Sequence, residues 1–484
     1  LSDLHDPGLL PDMEKAAEIL EEKIRLKKKI RIIGDYDIDG VCSIYILYRG
    51  LTSLGADTDW RIPHRIQDGY GLNIRLVEEA AAEGADTILT CDNGIAAAEQ
   101  IAAAKQAGMT VVVTDHHEVQ ETLPPADAVV DPKREGNRYP YPGICGAVVA
   151  WKLMTVLFER FGCPERTMEY LEFAALATVG DVMLLQDENR IIVREGLKQM
   201  RNTQNPGLRA LMECSGIQPE HLSAYHLGFV IGPCLNAGGR LDTDRRAVEV
   251  LLAEEDRAGE LAAGLRALNE ERKAMTQTGV ERAAEQIENS DLKQDRVLVV
   301  YLQDCHESLA GIIAGRLRER YSRPAIVLTD AEGGVKGSGR SIPAYHMFDG
   351  LNRCRDLLDK FGGHPMAAGL SLKKEKVGEL RRRLNEECGL TEKDLVPVVW
   401  IDMELPFSWV SEELVKQCRL LEPFGNGNEK PVFAARNIRV LRMARIGKAR
   451  NMLKLQLADE DGIQMDGIYF GDGDEFAAYY GEKF

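Results

Sequence analysis

The sequence predicts an α/β protein that begins with a doubly wound parallel-sheet domain and ends with a β-barrel. Three observations lead to this fold class. Strand-like and helix-like segments alternate over the first 200 residues, apolar residues recur at helical spacing between about 247 and 287, and short β-branched runs dominate after residue 396. Because domains usually contain ~100–200 residues, we divide the chain into a first domain 1–200, a long helical connector 201–292, a second α/β domain 293–390 and a barrel 391–484.

The first domain shows the βαβαβ order of a parallel sheet. Ile30–Ile33, Thr87–Thr90 and Thr110–Thr114 are runs of strand length, and helix-like segments at Val41–Leu54 and Ala96–Ala107 separate them. In a doubly wound sheet the ligand crevice lies at the carboxyl ends of the strands. The residues that follow each strand are therefore the first candidates for a functional site.

The later parts of the chain are predicted from changes in the period of the apolar residues. Leu261, Leu265, Leu268 and Met275 recur at spacings of 4, 3 and 7, which indicates a helix on a solvated connector, broken at its glycines. The second domain is predicted to contain strands Val297–Tyr301 and Ala325–Thr329, helix Ala310–Arg320 and a glycine-rich turn Gly333–Gly339. The barrel strands are predicted at Val398–Ile401, Val432–Ala434, Ile438–Leu441, Met452–Leu457 and Gly467–Phe470.

Composition excludes several classes of protein. No stretch approaches the ~18 uninterrupted apolar residues of a membrane span, and no basic segment followed by an apolar one marks a signal peptide. The ten cysteines are dispersed without a C-x-x-C pair, which argues against a zinc site and for a reducing compartment, so we predict a cytoplasmic protein without a membrane partner. The net charge of −17 argues mildly against nucleic acid, although a local basic groove or bound cations would offset it. We expect both ends to be trimmed, because residue 1 is Leu and the chain stops soon after a strand-like run.

Acidic and imidazole side chains follow the predicted ends of all three strands. They are Asp35, Asp37 and Asp39 after the first strand, Asp92 after the second, and His116 and His117 after the third. Carboxylates brought this close repel each other and resist ionisation, and bound divalent cations remove that cost. A set rich in carboxylates suits Mn2+ or Mg2+ better than zinc, and two ions that share an Asp would lie ~3.5–4 Å apart. The pattern predicts a two-metal centre for phosphoryl chemistry.

Two simpler interpretations of these residues exist. The acidic run could be a solvated turn or a calcium loop, since Asp35 to Gly40 matches the start of an EF-hand loop. However, Ile46 occupies the twelfth position, where an EF-hand requires Glu, and a strand rather than a helix precedes the run. His116 and His117 could be ordinary imidazoles, although two adjacent histidines after a strand are uncommon in a chain with nine.

Four motifs together resemble the DHH phosphoesterase superfamily. They are Asp37-Ile38-Asp39-Gly40, Asp92-Asn93-Gly94, Asp115-His116-His117 and Gly180-Asp181. The segment Gly232–Leu241 is similar to one typical of RecJ exonucleases, and Gly337–Ser341 and Gly362–His364 look like the companion DHHA1 domain. The terminal β segment would then be an OB-fold. The resemblance covers nearly the whole chain, with its motifs in the expected order.

The resemblance implies a 5′-to-3′ exonuclease that hydrolyses single-stranded DNA to mononucleotides with Mn2+ or Mg2+, in recombination and repair. It implies a monomer in the bacterial cytosol that works beside a single-strand-binding protein and a helicase. The implied metal ligands are Asp37, Asp39, Asp92, His116 and Asp181, with Asp35 a possible addition and His117 on the scissile phosphate. Many superfamily members have a ligand His where this chain has Ile33, so Asp35 or water would complete that shell.

The second group of candidate residues would bind the substrate. These candidates are Asn236, Arg240, His306, Ser338, Arg340, Ser341, Gly363 and His364. Arg340 could fork onto a phosphate from the glycine-rich turn, helped by backbone N–H groups, although such a turn can also be a simple hairpin. In the barrel, Phe407, Trp409, Phe424 and Phe433 are candidates for base stacking, although most barrel aromatics belong to a core.

The expected mechanism is hydrolysis by a water that the two metals activate and align. One rival is a relative that cleaves short oligonucleotides, cyclic dinucleotides or pyrophosphate, but small-substrate members tend to lack the OB-like tail. Another rival is a non-catalytic binding module, against which the intact ligand set argues.

Overall fold

The computed structural model describes residues 2–65, 68–241, 245–331, 333–447 and 452–471, together with 473, 476 and 478. The chain divides into two compact units. Unit 1 comprises Leu1–Pro397 with Gly425–Gly427, and unit 2 comprises Val398–Phe424 with Asn428–Phe484. Within the described residues, no helix combines the length and the apolar character needed to cross a membrane.

Unit 1 begins with the predicted parallel sheet. Its strands are β1 (Lys29–Ile33), β2 (Asp57–Arg61), β3 (Thr87–Cys91), β4 (Thr110–Thr114) and β5 (Ala128–Val130), in the order β2-β1-β3-β4-β5 with every pairing parallel. The three inner strands confirm the prediction. Both edge strands were missed, because β2 is polar and partly exposed while β5 has only three residues.

Helices cover both faces of this sheet. They are α1 (Met13–Arg25), α2 (Ile38–Ser53), α3 (Ile74–Ala82), α4 (Ala98–Gln106), α5 (Gly146–Arg160), α6 (Leu171–Gly180) and α7 (Asp187–Met200). Because side chains alternate along a strand, Ile32 and Leu89 join the core with α1, α2 and α5, whereas Ile33 and Ile88 join the core with α3 and α4. The sheet is therefore doubly wound, as predicted.

A helical region links the two sheets of unit 1. It comprises α8 (Pro206–Cys214), α9 (Ala224–His226), a π-helical turn (Leu227–Ile231), α10 (Gly232–Leu241), α11 (Arg246–Leu252) and α12 (Glu255–Glu288). The expected glycine breaks are wrong, since α12 runs unbroken for 34 residues. The predicted solvent exposure is also wrong for one side of α12, where Leu265, Ala283 and Ile287 are buried. Gly279 serves this packing, because a Cβ there would lie 2.5 Å from Ile313 Cδ1.

The second α/β region of unit 1 contains a mixed sheet. Its elements are β6 (Leu298–Tyr301), α13 (Ala310–Tyr321), β7 (Ala325–Ala331), β8 (Gly334–Arg340), α14 (Met347–Arg353), β9 (Leu358–His364), β10 (Ala367–Leu372) and α15 (Val377–Glu386). The strand order is β6-β7-β8-β10-β9, in which only β6 and β7 are parallel.

The glycine-rich turn predicted at Gly333–Gly339 is wrong, because most of this segment forms strand β8. Gly337 pairs with Leu328 of β7 and with Leu370 of β10. A Cβ on Gly337 would lie 2.2 Å from the carbonyl oxygen of Val327. The glycines here permit close strand approach, so their N–H groups belong to the sheet and the expected help to a phosphate does not arise from a turn.

Unit 2 is rich in short strands, as predicted for its sequence. Its elements are β11 (Met403–Glu404), α16 (Glu412–Arg419), β12 (Phe433–Ala434), β13 (Arg439–Ile446), β14 (Met452–Ala458) and β15 (Gln464–Tyr469). Strands β13, β14 and β15 form an antiparallel sheet with β14 in the centre, and β11 pairs with β12. The strand predicted at Val398–Ile401 is wrong, and its Trp400 is 86% exposed.

Candidate active site

The acidic residues after β1 are positioned by the start of α2. Asp37 caps this helix, since its Oδ1 accepts hydrogen bonds from the backbone N–H of Asp39 at 3.0 Å and of Gly40 at 3.1 Å. A Cβ at Gly40 would lie 2.4 Å from the carbonyl oxygen of Asp35, so this tight turn requires glycine. The side chain of Asp39 crosses to the first turn of α5, where it accepts from Gly146 N at 2.6 Å. Helix N-termini thus hold two carboxylates in place.

His116 lies at the centre of the carboxylate cluster. Its Nε2 atom is 3.1 Å from Asp92 Oδ1, 3.4 Å from Asp39 Oδ2 and 3.7 Å from Asp181 Oδ2. Asp92 follows β3 in the left-handed region with φ of 59°, and Asp181 caps the carboxyl end of α6. Two triads have ligand atoms within 4.8 Å of one another: Asp39, His116 and Asp181, and Asp92, His116 and His117. The structure therefore brings Asp39, Asp92, His116 and Asp181 together from three strand ends and one helix, whereas Asp37 belongs to neither triad.

Burial and mutual repulsion disfavour the charged carboxylates. Burial, followed by the charge of Asp39, raises the pKa of Asp37 and raises that of Asp92 well above its usual range. The same two causes raise the pKa of Asp181 to about 8. Bound cations reverse this preference by supplying opposite charge.

The cluster also holds unused donor atoms. Within the described residues, the buried Asp35 Oδ2 and His116 Nδ1 have no hydrogen-bond partner. A buried donor set that consists mostly of carboxylate oxygens fits Mn2+ or Mg2+. This is the set for which the sequence predicted a metal centre. Asp35 directs its other oxygen to Gly71 N at 3.3 Å, and it is not a member of either triad.

A charged pair beside the cluster involves a residue to which the sequence assigned no role. Asp115 Oδ1 lies 2.7 Å from His117 Nδ1, and Asp115 also accepts from Ile95 N at 2.9 Å. Burial alone would lower the pKa of His117, but the hydrogen bond and charge of Asp115 outweigh it and raise this pKa to about 9. Asp115 therefore favours the protonated form of His117, whose side chain is 44% exposed beside the ligands. Asp115 positions and charges it.

A basic cavity of about 580 Å³ adjoins the metal centre through Tyr36, which lies between Asp35 and Asp37 in the chain. We call this cavity the cradle. Its polar lining consists of Tyr36, Arg65, Arg240, Glu307, Ser308, Lys336, Ser338, Arg340, Lys360 and Ser371. Arg240 donates to the carbonyl oxygen of Ser308 at 2.7 Å, and Arg340 donates to Ser338 Oγ at 2.8 Å.

Arg240 and Arg340 line the cradle without an ion pair to any carboxylate that the structure describes. Burial, followed by the repulsion of Arg65, lowers the pKa of Arg240 to about 9. Arg65 itself lies 4.6 Å from the ring centroid of Tyr36. A cavity lined by Arg240 and Arg340 has the charge and the donor groups that suit an anion.

The predicted substrate-binding residues separate into two groups. Arg240, Ser338 and Arg340 line the cradle, as expected. The others lie outside its lining: Asn236, His306, Ser341, Gly363 and His364. Ser341 is fully buried and donates to the carbonyl oxygen of Tyr345, while His306 Nδ1 lies 2.7 Å from Ser308 Oγ and caps the next helical turn. Local hydrogen bonds thus occupy the side chains of Ser341 and His306.

Several cradle residues were missed by the sequence prediction. Arg65, Lys336 and Lys360 carry no motif of their own, although the two lysines flank the glycine motifs Gly337–Ser341 and Gly362–His364. That proximity was the available signal for the lysines. For Arg65 we find none, since it reaches the cradle from a loop after β2. In unit 2, Trp409 is 67% exposed, and base stacking there remains a prediction.

Comparisons with known proteins match three successive parts of the chain. Models of the DHH family N-terminal domain, the DHHA1 domain and the RecJ OB domain match residues 29–178, 294–389 and 401–483. The single-stranded-DNA-specific exonuclease RecJ of Bacillus subtilis is 38% identical over 98% of this chain and 60% of its own length. RecJ of Dickeya dadantii is 37% identical over 97% of this chain and 85% of its own length. The crystal structure of Thermus thermophilus RecJ in complex with Mn2+ superposes with a TM-score of 0.82 at 30% identity, covering 96% of this chain and 67% of that one.

The fold and the acidic centre define a metal-dependent phosphoesterase of the DHH class. Within that class, the chain belongs to the RecJ family of single-stranded-DNA-specific exonucleases. Relatives have been solved with Mn2+ and with Mg2+, which confirms the predicted choice of cofactor. The chain spans 60% of the length of the Bacillus relative.

Proposed function

We propose that this chain removes mononucleotides from the 5′ end of single-stranded DNA, with two divalent cations, in recombination and repair. One observation carries the proposal: the cradle, lined by Arg240 and Arg340 without ion pairs among the described residues, adjoins a carboxylate centre of the type that holds two cations. A cradle of this charge suits a terminal phosphate, which carries more negative charge than an internal phosphodiester. A chain end bound there would present its next phosphodiester to the acidic centre.

The chemistry of the product supports repeated cleavage from one end. Water replaces the 3′ oxygen of the terminal nucleotide at phosphorus, and the proton it loses balances the 3′ hydroxyl that forms. The released nucleotide keeps its original 5′ phosphate, and the shortened strand acquires a new one. Each turnover therefore regenerates the group for which Arg240 and Arg340 are arranged.

The residues of the centre have separate tasks. Asp37, Asp39, Asp92, His116 and Asp181 would hold the cations. When bound, these cations supply a water of lowered pKa and neutralise charge on the phosphoryl and leaving oxygens. His117, kept protonated by Asp115, donates a hydrogen bond to a non-bridging oxygen, where charge grows during the reaction.

The decisive assay uses single-stranded oligonucleotides labelled at either end, with Mn2+. We expect the 5′ label to appear as a mononucleotide from the first turnover, and EDTA to abolish its release. Asp92→Asn should remove activity, whereas Asp57→Asn, an exposed carboxylate on β2, should retain it. Early release of the 3′ label, or activity confined to dinucleotides or cyclic dinucleotides, would contradict the proposal.

Further predictions from the resemblance accompany this proposal. They are a monomeric state, a location in the cytosol, and association with a single-strand-binding protein and a helicase. Light scattering after size exclusion tests the first, and a mass near twice 53.8 kDa would refute it.

A further inference from the structure

The predicted metal ligand Asp181 is held differently from two other carboxylates of the centre. Asp37 and Asp39 each accept hydrogen bonds from backbone N–H groups at the start of a helix. Among the residues that the structure describes, the carboxylate of Asp181 accepts no hydrogen bond, and its ion pair with His116 Nε2 is as long as 3.7 Å. The direction of this side chain therefore depends on the backbone that carries it.

The backbone directly after Asp181 adopts a strained conformation. Asp181 ends α6, and Val182 follows it in the left-handed region with φ of 57°. The N–H of Met183 donates to the carbonyl oxygen of Thr178 at 3.0 Å, which is a common closure of a helix end. Glycine usually occupies the left-handed position of this motif, and a β-branched residue is disfavoured there. Contacts from outside the helix therefore have to maintain the conformation of Val182.

An asparagine from a distant part of the sequence bonds to both ends of this loop. Asn426 lies 244 residues after Val182, in the segment Gly425–Gly427 of unit 1. Its Nδ2 donates to the carbonyl oxygen of Val182 at 2.7 Å, and its own carbonyl oxygen accepts from Leu185 N at 2.7 Å. Leu185 is buried, so the second bond ties Asn426 to a fixed point of the core.

The two glycines of this segment permit its close approach to the loop. A Cβ on Gly425 would lie 2.6 Å from Leu185 Cδ1, and a Cβ on Gly427 would lie 2.8 Å from Leu184 Cδ2. Gly427 has a φ of 73°, and its carbonyl oxygen accepts from Gln186 Nε2 at 3.1 Å. The segment is therefore fitted to several successive residues of the loop.

Other side chains hold a different point of the loop. Asn189 Nδ2 donates to the carbonyl oxygen of Leu184 at 3.0 Å, and Tyr141 Oη donates to the same oxygen at 3.4 Å. Among the described residues, Asn426 is the donor to the carbonyl oxygen of Val182. The residue next to the metal ligand thus depends on this one side-chain amide.

We propose that Asn426 is a positioning residue for the metal centre, which holds Val182 in its left-handed conformation and thereby directs Asp181 toward His116. The proposal rests on the proposed function, because it takes Asp181 as a metal ligand. With this hydrogen bond in place, the carboxylate already lies where a cation needs it. Without the bond, Val182 relaxes toward an unstrained conformation, and a cation has to restore the strained one at the expense of its affinity.

Calorimetric titration of the metal-free full chain with Mn2+ tests the proposal. Asn426→Ala should raise the Kd of one Mn2+ ion roughly 10- to 100-fold, the usual loss when a residue that orients a ligand is removed. Asp181→Asn should raise this Kd at least as much. In the Asp181→Asn background, Asn426→Ala should cause little further loss, because a residue that acts through Asp181 has nothing left to position.

Three further variants separate positioning from general damage. Val182→Gly favours the left-handed region without outside help, so its addition to Asn426→Ala should restore most of the lost Mn2+ affinity. Gln204→Ala removes another exposed amide that donates to a backbone carbonyl, that of Asn202 at 2.9 Å, and should bind Mn2+ as the unaltered chain does. Asn426→Leu keeps the size of the side chain without its donor and covers the case in which Asn426→Ala does not fold.

The outcomes distinguish this inference from the proposed function. If Asp181→Asn and the unaltered chain have the same affinity for Mn2+, Asp181 is not a ligand and the proposed metal centre fails. If Asp181→Asn weakens binding but the Asn426 variants do not, the metal centre stands and the positioning role is wrong. Equal losses from Asn426→Ala in both backgrounds, or no rescue by Val182→Gly, would also refute that role. A loss confined to chains that retain Asp181, with rescue by Val182→Gly, supports it.

Discussion

Replacement of Glu172 by Gln should stabilise the protein at alkaline pH and have little effect at acid pH. Glu172 lies in the first turn of α6, is 3% exposed, and accepts one hydrogen bond, from Thr203 Oγ1 at 2.8 Å. Burial raises its pKa from 4.5 to about 7, against the lowering effect of that hydrogen bond. The folded state therefore binds the proton more tightly than the unfolded state, and this contribution to stability is complete below 4.5 and lost as the pH rises through 7.

The size of the effect follows from the difference in pKa. A difference of 2.5 units, from 4.5 to about 7, corresponds to about 3 kcal/mol, most of it lost between pH 5 and 8. Glutamine cannot ionise and keeps the acceptor for Thr203. The free energy of unfolding of Glu172→Gln, relative to the unaltered chain, should therefore rise by about 2–3 kcal/mol from pH 5 to pH 8.

Urea unfolding followed by tryptophan fluorescence at both pH values measures this difference. Glu169→Gln, an exposed carboxylate one turn away, corrects for the loss of a surface charge. The reasoning is refuted if the relative stability of Glu172→Gln is the same at pH 5 and pH 8, or falls with pH. Either result would mean that Glu172 is ionised and satisfied in the folded protein.

Three further predictions concern the site. Arg340→Ala should raise KM for 5′-phosphorylated single strands by about 10- to 100-fold, because a charge-assisted hydrogen bond contributes ~1.5–3 kcal/mol. The KM for strands with a 5′ hydroxyl should rise less. Arg316→Ala, on the exposed face of α13, should have the same KM as the unaltered chain. Asp92→Asn should weaken Mn2+ binding in calorimetry. It should also raise the melting temperature of the metal-free protein, because it removes one buried carboxylate from a cluster of mutually repelling ones. A lower melting temperature would contradict this cause. Asp115→Asn should lower the pKa of His117 from about 9, as followed by NMR titration, and an unchanged pKa would show that other groups hold the charge.

Much of the metal centre was determined by local sequence. Asp37, Asp39, Asp92 and His116 each follow an apolar run of strand length, and carboxyl ends of parallel strands meet at one edge. The apolar pattern of a strand and the position of a residue just after it can both be read from neighbouring residues in the sequence. Spacing alone therefore predicted this cluster. Asp181 was placed only by resemblance, because it caps a buried helix whose docking on α2 is a long-range contact.

Glycine segments show where local reasoning fails. Gly337 and Gly339 suggested a turn, because glycine weakens an isolated strand. Strand β7 approaches Gly337 and the side chain of Met347 approaches Gly339 so closely that a Cβ would not fit, and these contacts are absent from the local sequence. The same applies to Gly279 in α12, which faces Ile313 rather than breaking the helix.

The sequence by itself determined the fold class, the order of the domains and the acidic residues that meet at the sheet edge. Only the tertiary structure decided what surrounds them, above all the cradle. Arg65, Arg240 and Arg340 come from a loop, a helix and a strand far apart in the chain, and they acquire a common task only when these elements pack around one cavity. Charge and exposure depend on every neighbour in space, whereas strand and helix periods depend on the residues adjacent in sequence.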